Sequence, residues 1–510
     1  MIKKILSKVF SRNFIYAVLL IVQVAYLILG VTKIGEQFYF AYLFLIILDI
    51  ILAVYIMNTD DDASYKLAWI VAISVFPLFA GLTYIFIKAT QKLPKNIIKA
   101  YHDHGREYLI QNNDILKMIE ERCPDSLNLA KYVNDYGLYP VYRHTTAEYY
   151  PLGELQFEAM IEELNKAKRF IFMEFFIITD GYMLDTISEI LIRKAKEGVD
   201  VRLMYDGIGT GMLNSSEPMK KLEKNGVKCK AFNKFTPFLS SLQNNRDHRK
   251  IIVIDGHTAF NGGTNLADEY INRIERFGHW KDTAVMIKGE AVWNYTVMFL
   301  QLWEIGKKSV SDYEQFIPSE ADFFHHQSDG FVQPFSDSPL DDELVGKLVY
   351  MELINNARKY VYITTPYLIL DQEVMNALRF AAKKGVDVRI ITPHIPDKWY
   401  VHVIAWNTYP DLIASGVKIY EYTPGFIHAK SCIADGQTAV IGTINLDYRS
   451  LYLHYESAAI FYGCSVINDI AEDFEETLKV SHQVTLEDCK ERPLYKKMAG
   501  SILRMFAPLL

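Results

Sequence analysis

Two stretches of this chain, HRKIIVID (248–255) and HAKSCIAD (428–435), carry the same spacing of histidine, lysine and aspartate. In each stretch the lysine lies two residues after the histidine, and the aspartate lies five residues after the lysine. Seven residues beyond each aspartate a glycine-rich cluster begins, GGTN (262–265) in the first copy and GTIN (442–445) in the second. One match can arise by chance in a long sequence, whereas two matches with the same trailing cluster indicate a duplicated unit. Two copies of one unit predict two halves of one active site.

The surrounding sequence repeats in the same order. The run GVDVR at 198–202 returns at 385–389, and GVK at 226–228 returns at 416–418. In both halves, short runs rich in β-branched and aromatic residues alternate with helical runs, which predicts an α/β fold of largely parallel strands covered by helices. We therefore predict two duplicated α/β lobes related by a pseudo-twofold axis, as if a homodimer were fused into one chain.

The paired histidine and lysine indicate the chemistry. On an extended strand, residues two apart project to the same side, so the two side chains of each pair would point together. An ammonium group repels a metal ion but suits a phosphate, and an imidazole provides a nucleophile or a proton carrier near neutral pH. The two aspartates precede glycine at predicted hairpin turns, where turn formation explains them at least as well as chemistry does. The catalytic candidates are His248, Lys250, Asp255, His428, Lys430 and Asp435.

Further polar residues follow each pair at matched positions. Asn265 and Asn445 end the glycine-rich clusters, and their amides are expected to bind phosphate oxygens. A working imidazole usually needs a carboxylate that fixes its tautomer. Asp282 and Glu456 follow the two pairs beside strand-like runs, and we expect them to orient the histidines.

Composition narrows the class of protein. The chain has 510 residues, half of them hydrophobic, which is enough for roughly two to four domains. Its formal net charge of −7 argues against a nucleic-acid-binding protein, which normally carries a basic surface. The five cysteines lie far apart without a CxxC pair, so they predict neither a zinc site nor a disulfide framework.

The N-terminal residues differ in kind from the rest. Three apolar runs, 14–31, 38–57 and 67–87, each approach the roughly 20 residues that cross a bilayer. We therefore expect residues 1–88 to form a membrane anchor of two or three transmembrane helices. Basic residues cluster before the first run and after the third, and both clusters favour the cytoplasm, which three spans cannot satisfy together. We therefore expect the second and third runs to form a hairpin with the following region in the cytoplasm, while the first run crosses outside to inside, lies in the interface or is processed.

The sequence predicts five segments. They are the membrane anchor at 1–88, a connector at 89–140, a first lobe at 141–325, a second lobe at 326–490 and a C-terminal segment at 491–510. The last segment carries lysine and arginine among apolar residues, which fits an interfacial helix or an ordinary docking helix.

These features resemble the bacterial cardiolipin synthases of the phospholipase D superfamily, whose hallmark is the doubled HxKxxxxD motif with a trailing G-G/S-x-N. The similarity runs from about residue 38 to the C-terminus. Where family members often carry Asn-Phe-Glu, this chain has His454-Tyr455-Glu456. Where they often carry Trp-Arg-Asp, it has Trp280-Lys281-Asp282. Both departures keep the acid, so they bear on substrate preference rather than on the catalytic chemistry.

The resemblance implies an enzyme without metal or cofactor that converts two phosphatidylglycerols into cardiolipin and glycerol through a phosphohistidine. In that scheme His248 attacks the first lipid, while His428 protonates the departing glycerol and then deprotonates the second lipid. Because the two halves are similar, the sequence permits the reverse assignment as well. The implied partners are phosphatidylglycerol and the anionic plasma membrane of a bacterium, with no nucleic acid.

Other activities of the same fold stay open. Another phosphatidyltransferase or a phospholipase D hydrolase would use the same residues. A nuclease shares the motif, but the acidic net charge and the apolar N-terminus weigh against it. The presence of both histidines, both lysines and both acids weighs against an inactive membrane scaffold.

Overall fold

The computed structural model of the protein describes residues 18, 21–25, 39–90, 101, 105–211, 217–234, 244–305, 311–318, 328–340 and 343–509. The chain divides into two compact units. The first unit comprises residues 1–95, 235–245 and 501–510, and the second comprises residues 96–234 and 246–500.

The described part of the first unit is helical. Its main helices are α1 (Tyr39–Met57), α2 (Ala63–Val75) and α3 (Pro77–Thr90). No helix in the described residues is both long enough and apolar enough to cross a membrane. The predicted run 38–57 forms α1, but 67–87 is shared between two helices because Pro77, which has no amide hydrogen, begins a new one. Most of the predicted run 14–31 lies outside the described residues.

The first lobe has eight described strands, and seven of them form its main sheet. The strands of this lobe, including the short β7 outside the main sheet, are β1 (Thr145–Tyr150), β2 (Phe170–Phe175), β3 (Asp200–Asp206), β4 (Lys228–Phe232), β5 (Ile251–Ile254), β6 (Thr258–Gly262), β7 (His279–Lys281) and β8 (Ala284–Gly289). The sheet order is β1-β8-β6-β5-β2-β3-β4. Only β2, β3 and β4 run parallel to one another, and the remaining pairs are antiparallel.

The second lobe repeats this arrangement. Its strands are β9 (Phe331–Asp337), β10 (Tyr360–Thr364), β11 (Asp387–Pro393), β12 (Lys418–Tyr422), β13 (Gly425–Ile427), β14 (Ser431–Ala434), β15 (Thr438–Gly442), β16 (Glu456–Tyr462) and β17 (Ser481–Val484). The sheet order is β9-β16-β15-β14-β10-β11-β12-β17, so each of its first seven strands has a counterpart in the first lobe. The duplication predicted from the sequence is therefore confirmed.

The expectation of largely parallel sheets is wrong. Both sheets are mixed, because the motif strands β5 and β14 each turn back through Asp-Gly into an antiparallel neighbour. A two-residue turn joins antiparallel strands only, whereas a parallel pair requires a longer crossover. Helical connections join the three parallel strands of each lobe, and a helix also leads from β1 to β2 and from β9 to β10.

Helices cover both sheets of the second unit. They are α4 (Asn113–Arg122), α5 (Leu127–Asp135), α6 (Gly153–Lys166), α7 (Tyr182–Lys196), α8 (Glu217–Lys224), α9 (Val292–Glu304), α10 (Val345–Asn356), α11 (Gln372–Lys383), α12 (Trp399–Ile413), α13 (Tyr448–Tyr452), α14 (Val466–Lys479), α15 (Leu486–Glu491) and α16 (Leu494–Phe506), the last of which ends in the first unit. One hydrophobic core contains buried residues of both lobes, and a second core lies within the first lobe.

The backbone of each lobe pairs with the other lobe next to the motif. Strand β13, which leads into His428, runs parallel to β7 of the first lobe, and the His428 amide donates to the carbonyl of Lys281 at 2.7 Å. The same contact recurs in the other direction, since the His248 amide donates to the carbonyl of Tyr455 at 3.0 Å. The lobes are thus joined at the two histidines themselves.

A buried ion pair lies directly beside this junction. Arg249 is fully buried and donates to Glu174 of β2 at 2.6 Å, to the hydroxyl of Ser336 in β9 at 3.3 Å and to the carbonyl of Met298 in α9 at 3.2 Å. One guanidinium group therefore connects β2 and α9 of the first lobe with β9 of the second.

Replacing Arg249 by methionine is expected to destabilise the protein by about 3–5 kcal/mol, because Glu174 would be left charged and buried without its partner. The measurement is the shift of the unfolding midpoint of the purified protein. The double variant Arg249→Met/Glu174→Leu is expected to recover part of the loss, because it removes both members of this pair but leaves the buried Asp247, 3.7 Å from Arg249 Nε, without that cation. A single variant as stable as the unmodified protein would contradict the interpretation.

Candidate active site

The two motif aspartates lie at the turns, and their contacts are structural. Asp255 and Asp435 adopt left-handed backbone angles, with φ of 53° and 54°. Each carboxylate accepts three backbone amides at the start of the neighbouring strand, which is β2 in the first lobe and β10 in the second. These amides belong to Lys168, Arg169 and Phe170 in the first lobe and to Arg358, Lys359 and Tyr360 in the second. These contacts anchor the motif hairpin to the sheet, and the catalytic role expected of the two aspartates stays a prediction.

The two histidines are oriented by acids from the opposite lobe. His248 Nδ1 donates to the two carboxylate oxygens of Glu456 at 2.9 and 3.0 Å. His428 Nδ1 donates to Asp282 at 2.7 Å. All four side chains are buried. Because Nδ1 is engaged in both rings, Nε2 is the nitrogen left for a substrate.

The two lysines lie beside their histidines. Lys250 Nζ donates to the carbonyl oxygen of His248 at 2.5 Å, and Lys430 Nζ donates to the carbonyl oxygen of His428. Burial lowers the pKa of Lys250 to about 8 and the pKa of Lys430 to about 7. An anion bound between them would favour their charged forms, so the pair is suited to a phosphate.

The two asparagines differ in their contacts. The Asn265 amide donates to the Tyr270 hydroxyl at 2.7 Å, and its carbonyl accepts the Ile177 amide at 2.9 Å. The Asn445 carbonyl oxygen is buried without a hydrogen-bond partner in the part of the chain that the structure describes. Asn265 therefore supports the wall of the site in this structure, and its expected role in binding phosphate stays a prediction.

Gly263 and Thr443 occupy matched positions and make the two dyads unequal. The Thr443 hydroxyl donates to Glu456. Gly263 has no side chain, and a Cβ atom built on it would lie 2.0 Å from the nearer carboxylate oxygen of Asp282. The first lobe thus admits its acid only because glycine stands here, while the second lobe uses the position to hold its acid by a hydrogen bond.

Changing Gly263 to alanine is expected to push Asp282 away from His428 and to lower the turnover number by about 100-fold, the effect of a displacement of about 1 Å in a catalytic group. The measurement is steady-state turnover, with thermal unfolding as a check on folding. Thr443→Ser is the matched control, because it keeps both the Cβ atom and the hydroxyl and should cost far less. Equal losses in the two variants would argue against this role of the glycine.

Aromatic side chains close the site around each histidine. Around His428 the rings of Tyr270, Trp280 and Phe426 lie 5.5, 5.6 and 5.8 Å away. Phe176 and His454 lie 5.1 and 5.5 Å from the ring of His248. None of these five was a candidate from the sequence. A signal did exist, because Trp280 and His454 each precede an orienting acid by two residues and so share its side of an extended segment.

Comparisons with known proteins agree with this geometry. A family model described as cardiolipin synthase, phospholipase D-like domain, matches residues 160–303 and 350–478. A second model, described as phospholipase D-nuclease N-terminal, matches residues 47–88. The crystal structure of phosphatidylserine synthase from Haemophilus influenzae Rd KW20 superposes with a TM-score of 0.53 at 12% identity, covering 75% of this chain and 98% of that one, which shows the fold alone.

Curated relatives cover most of the chain. An uncharacterized protein of Streptococcus mutans serotype c is 48% identical over 459 residues, or 89% of this chain and 99% of the relative. A cardiolipin synthase of Geobacillus sp. is 34% identical over 472 residues, or 90% of this chain and 92% of the relative. Cardiolipin synthase 2 of Bacillus anthracis is 33% identical over 460 residues, or 88% and 87%.

Two lobes of one fold, each contributing a histidine, a lysine and an acid, define a duplicated protein of the phospholipase D superfamily. The chain belongs to the cardiolipin synthase family within it, as both matches of the family model and the relatives above 30% identity show. The resemblance seen in the sequence is confirmed.

Proposed function

We propose that the protein is a cardiolipin synthase, which transfers a phosphatidyl group from one phosphatidylglycerol to the hydroxyl group of another. The observation that carries this proposal is the pair of buried histidine–carboxylate dyads that cross between the lobes, each beside a buried lysine. Such a site supplies a nucleophile, a proton carrier and cationic hydrogen-bond donors for a phosphodiester.

The unequal dyads support different roles for the two histidines. Burial acts to raise the pKa of Glu456, but the interactions with His248 and His454 outweigh it and lower that pKa, and burial lowers the pKa of His248. This dyad therefore presents a free imidazole at neutral pH. Burial lowers the pKa of His428 as well, so the two dyads differ in their acids. Burial raises the pKa of Asp282 to about 7, so the dyad of Asp282 and His428 keeps an additional proton up to that pH. The first dyad suits a nucleophile and the second a general acid.

The reaction then has two steps. The Nε2 atom of His248 attacks the phosphorus of the first phosphatidylglycerol, the bond from phosphorus to the glycerol oxygen breaks, and glycerol departs with a proton from His428. The neutral His428 next accepts a proton from the terminal hydroxyl of a second phosphatidylglycerol. That oxygen attacks the phosphorus, the nitrogen–phosphorus bond breaks, and cardiolipin and free His248 result. Lys250 and Lys430 are expected to stabilise the charge on the phosphoryl oxygens.

Burial of the site favours transfer to an alcohol over hydrolysis. The histidines are 7% and 6% exposed, and the lysines are 3% and 0% exposed. A site that excludes bulk water protects the phosphohistidine until the second lipid arrives.

We also propose that the N-terminal region associates with the membrane. Support comes from the outward-facing apolar side chains of α1, which are Phe40, Leu43, Phe44, Ile46, Ile47, Ile50, Ile51, Val54, Tyr55 and Met57. Exposed apolar surface of this extent is typical of contact with lipid or with another protein. The same proposal includes the five segment boundaries given above. It also includes an interfacial position for residues 491–510.

A lipid assay tests the proposed function. The full-length protein is reconstituted into vesicles that contain phosphatidylglycerol, and the lipids are separated after incubation. Cardiolipin with an equal amount of released glycerol is the expected result, and a chelator is expected to leave the rate intact. Phosphatidic acid without cardiolipin would identify a hydrolase instead, and no change in the lipids would overturn the proposal.

A further inference from the structure

His454 is a buried imidazole that none of the steps above uses. It is 9% exposed, and neither ring nitrogen has a hydrogen-bond partner in the residues that the structure describes. Its Nδ1 atom lies 3.7 Å from a carboxylate oxygen of Glu456, which is too far for a hydrogen bond. Buried polar groups are normally satisfied, so two unsatisfied nitrogens on one ring call for an explanation.

The neighbours of His454 supply such an explanation. One ligating atom from each of His248, His454 and Glu456 can be chosen so that all three lie within 4.8 Å of one another. Two imidazoles and one carboxylate form a donor set found in zinc sites. The Thr443 hydroxyl also donates to Glu456, as outer groups commonly do behind the ligands of a metal.

We propose that these three residues form a binding site for a divalent transition-metal ion of the Zn²⁺ class, and that the bound ion inhibits the enzyme. The inhibition follows because a metal ligated by His248 removes the imidazole that must attack the lipid. The inference goes beyond the proposed function, since the binding step requires no turnover.

The geometry sets the expected strength of the site. Ligands approach zinc to about 2.0–2.2 Å, so the three side chains must close around an ion. Within the described residues no hydrogen bond fixes the His454 ring, so its movement towards an ion breaks none there. The nearby Lys250 opposes a cation, while Glu456 favours it. We therefore expect the inhibiting ion to bind reversibly, with a lower affinity than at a structural zinc centre. The fourth coordination position would be open to water.

Metal binding to the full-length protein in detergent tests the site without lipid turnover. The chelator-treated protein is titrated with Co²⁺, followed by its visible absorption, and Zn²⁺ retained after gel filtration is counted per chain. One equivalent is expected. His454→Asn and His454→Phe should each weaken binding by at least about 10–100-fold, the loss seen when even an outer partner of a metal ligand is removed. His482→Asn is the matched control, because His482 forms an exposed pair with Asp488 and should leave binding unchanged.

Activity completes the test. Zn²⁺ should inhibit the enzyme, a chelator should reverse the inhibition, and each His454 variant, normalised to its own metal-free rate, should require a correspondingly higher Zn²⁺ concentration. The proposal would be overturned if the unmodified protein bound no metal. It would also be overturned if both His454 variants bound metal as tightly as the unmodified protein does. Either result would leave the lipid assay unaffected, and a failed lipid assay would likewise leave the binding result intact.

Discussion

Replacing His248 by asparagine is expected to abolish phosphatidyl transfer, with a loss of about 10⁴-fold or more, because the nucleophile itself is removed. Replacing His428 by asparagine should also stop turnover with phosphatidylglycerol, since the glycerol oxygen would then depart without a proton. The two variants therefore look alike in a steady-state assay, and a different substrate is needed to separate them.

A phosphatidyl ester of p-nitrophenol provides that separation, because p-nitrophenolate departs without a proton. With this ester His428→Asn is expected to release one equivalent of p-nitrophenolate per chain and to accumulate a phosphatidyl-enzyme, whereas His248→Asn should release none. If the phosphoryl group of the ester carries a radiolabel on phosphorus, the enzyme should lose that label in acid and keep it in base, because a phosphorus–nitrogen bond is labile in acid and stable in base. A burst from His248→Asn and none from His428→Asn would reverse the two roles, which the sequence alone left open.

Local sequence rules account for the part of the site that could be predicted. The histidine and lysine of each motif lie together because residues two apart share one side of an extended segment, and the Asp-Gly turns end the motif strands where expected. The duplication then placed one histidine in each lobe. These features depend on a few neighbouring residues, so one sequence suffices to predict them.

Features that depend on how the lobes pack could not be predicted. His248 and Glu456 are 208 positions apart in the sequence, and His428 and Asp282 are 146 apart. Spacing indicates that an acid is near each motif, but it does not indicate that each acid serves the other lobe's histidine. The role of Gly263 could not be predicted either. A glycine in a turn-like cluster suggests backbone freedom, whereas in the structure Gly263 leaves room for the carboxylate of Asp282.

The mixed sheets show how an overall rule can fail where a local one succeeds. Alternating strands and helices predicted parallel sheets, but the Asp-Gly turns recognised in the same sequence already required antiparallel pairs at the motif. The aspartates gave a similar choice between turn formation and catalysis. The backbone contacts of each aspartate fit turn formation, and a catalytic role for either residue stays a prediction.

Asp282→Asn is expected to lower the rate by about 10²–10⁴-fold and also to change its dependence on pH. In the unmodified protein the dyad of Asp282 and His428 must carry a proton when glycerol departs. Burial raises the pKa of Asp282 to about 7, so this proton is present below pH 7 and is lost as the pH rises through that value. At saturating phosphatidylglycerol the bound phosphate keeps Lys250 and Lys430 charged, so kcat reports the dyad. We therefore expect kcat to be level below about pH 7 and to fall above it.

The asparagine variant removes the carboxyl group that shares this proton, so the decline near pH 7 should disappear from its profile. Glu456→Gln is the matched control in the other lobe. It should also slow the reaction, because His248 loses its orienting acid, but it should keep the decline, since the proton-donating dyad is intact. A decline near pH 7 that survives in Asp282→Asn and disappears in Glu456→Gln would mean that His248 donates the proton, and the lobes would have to exchange their roles.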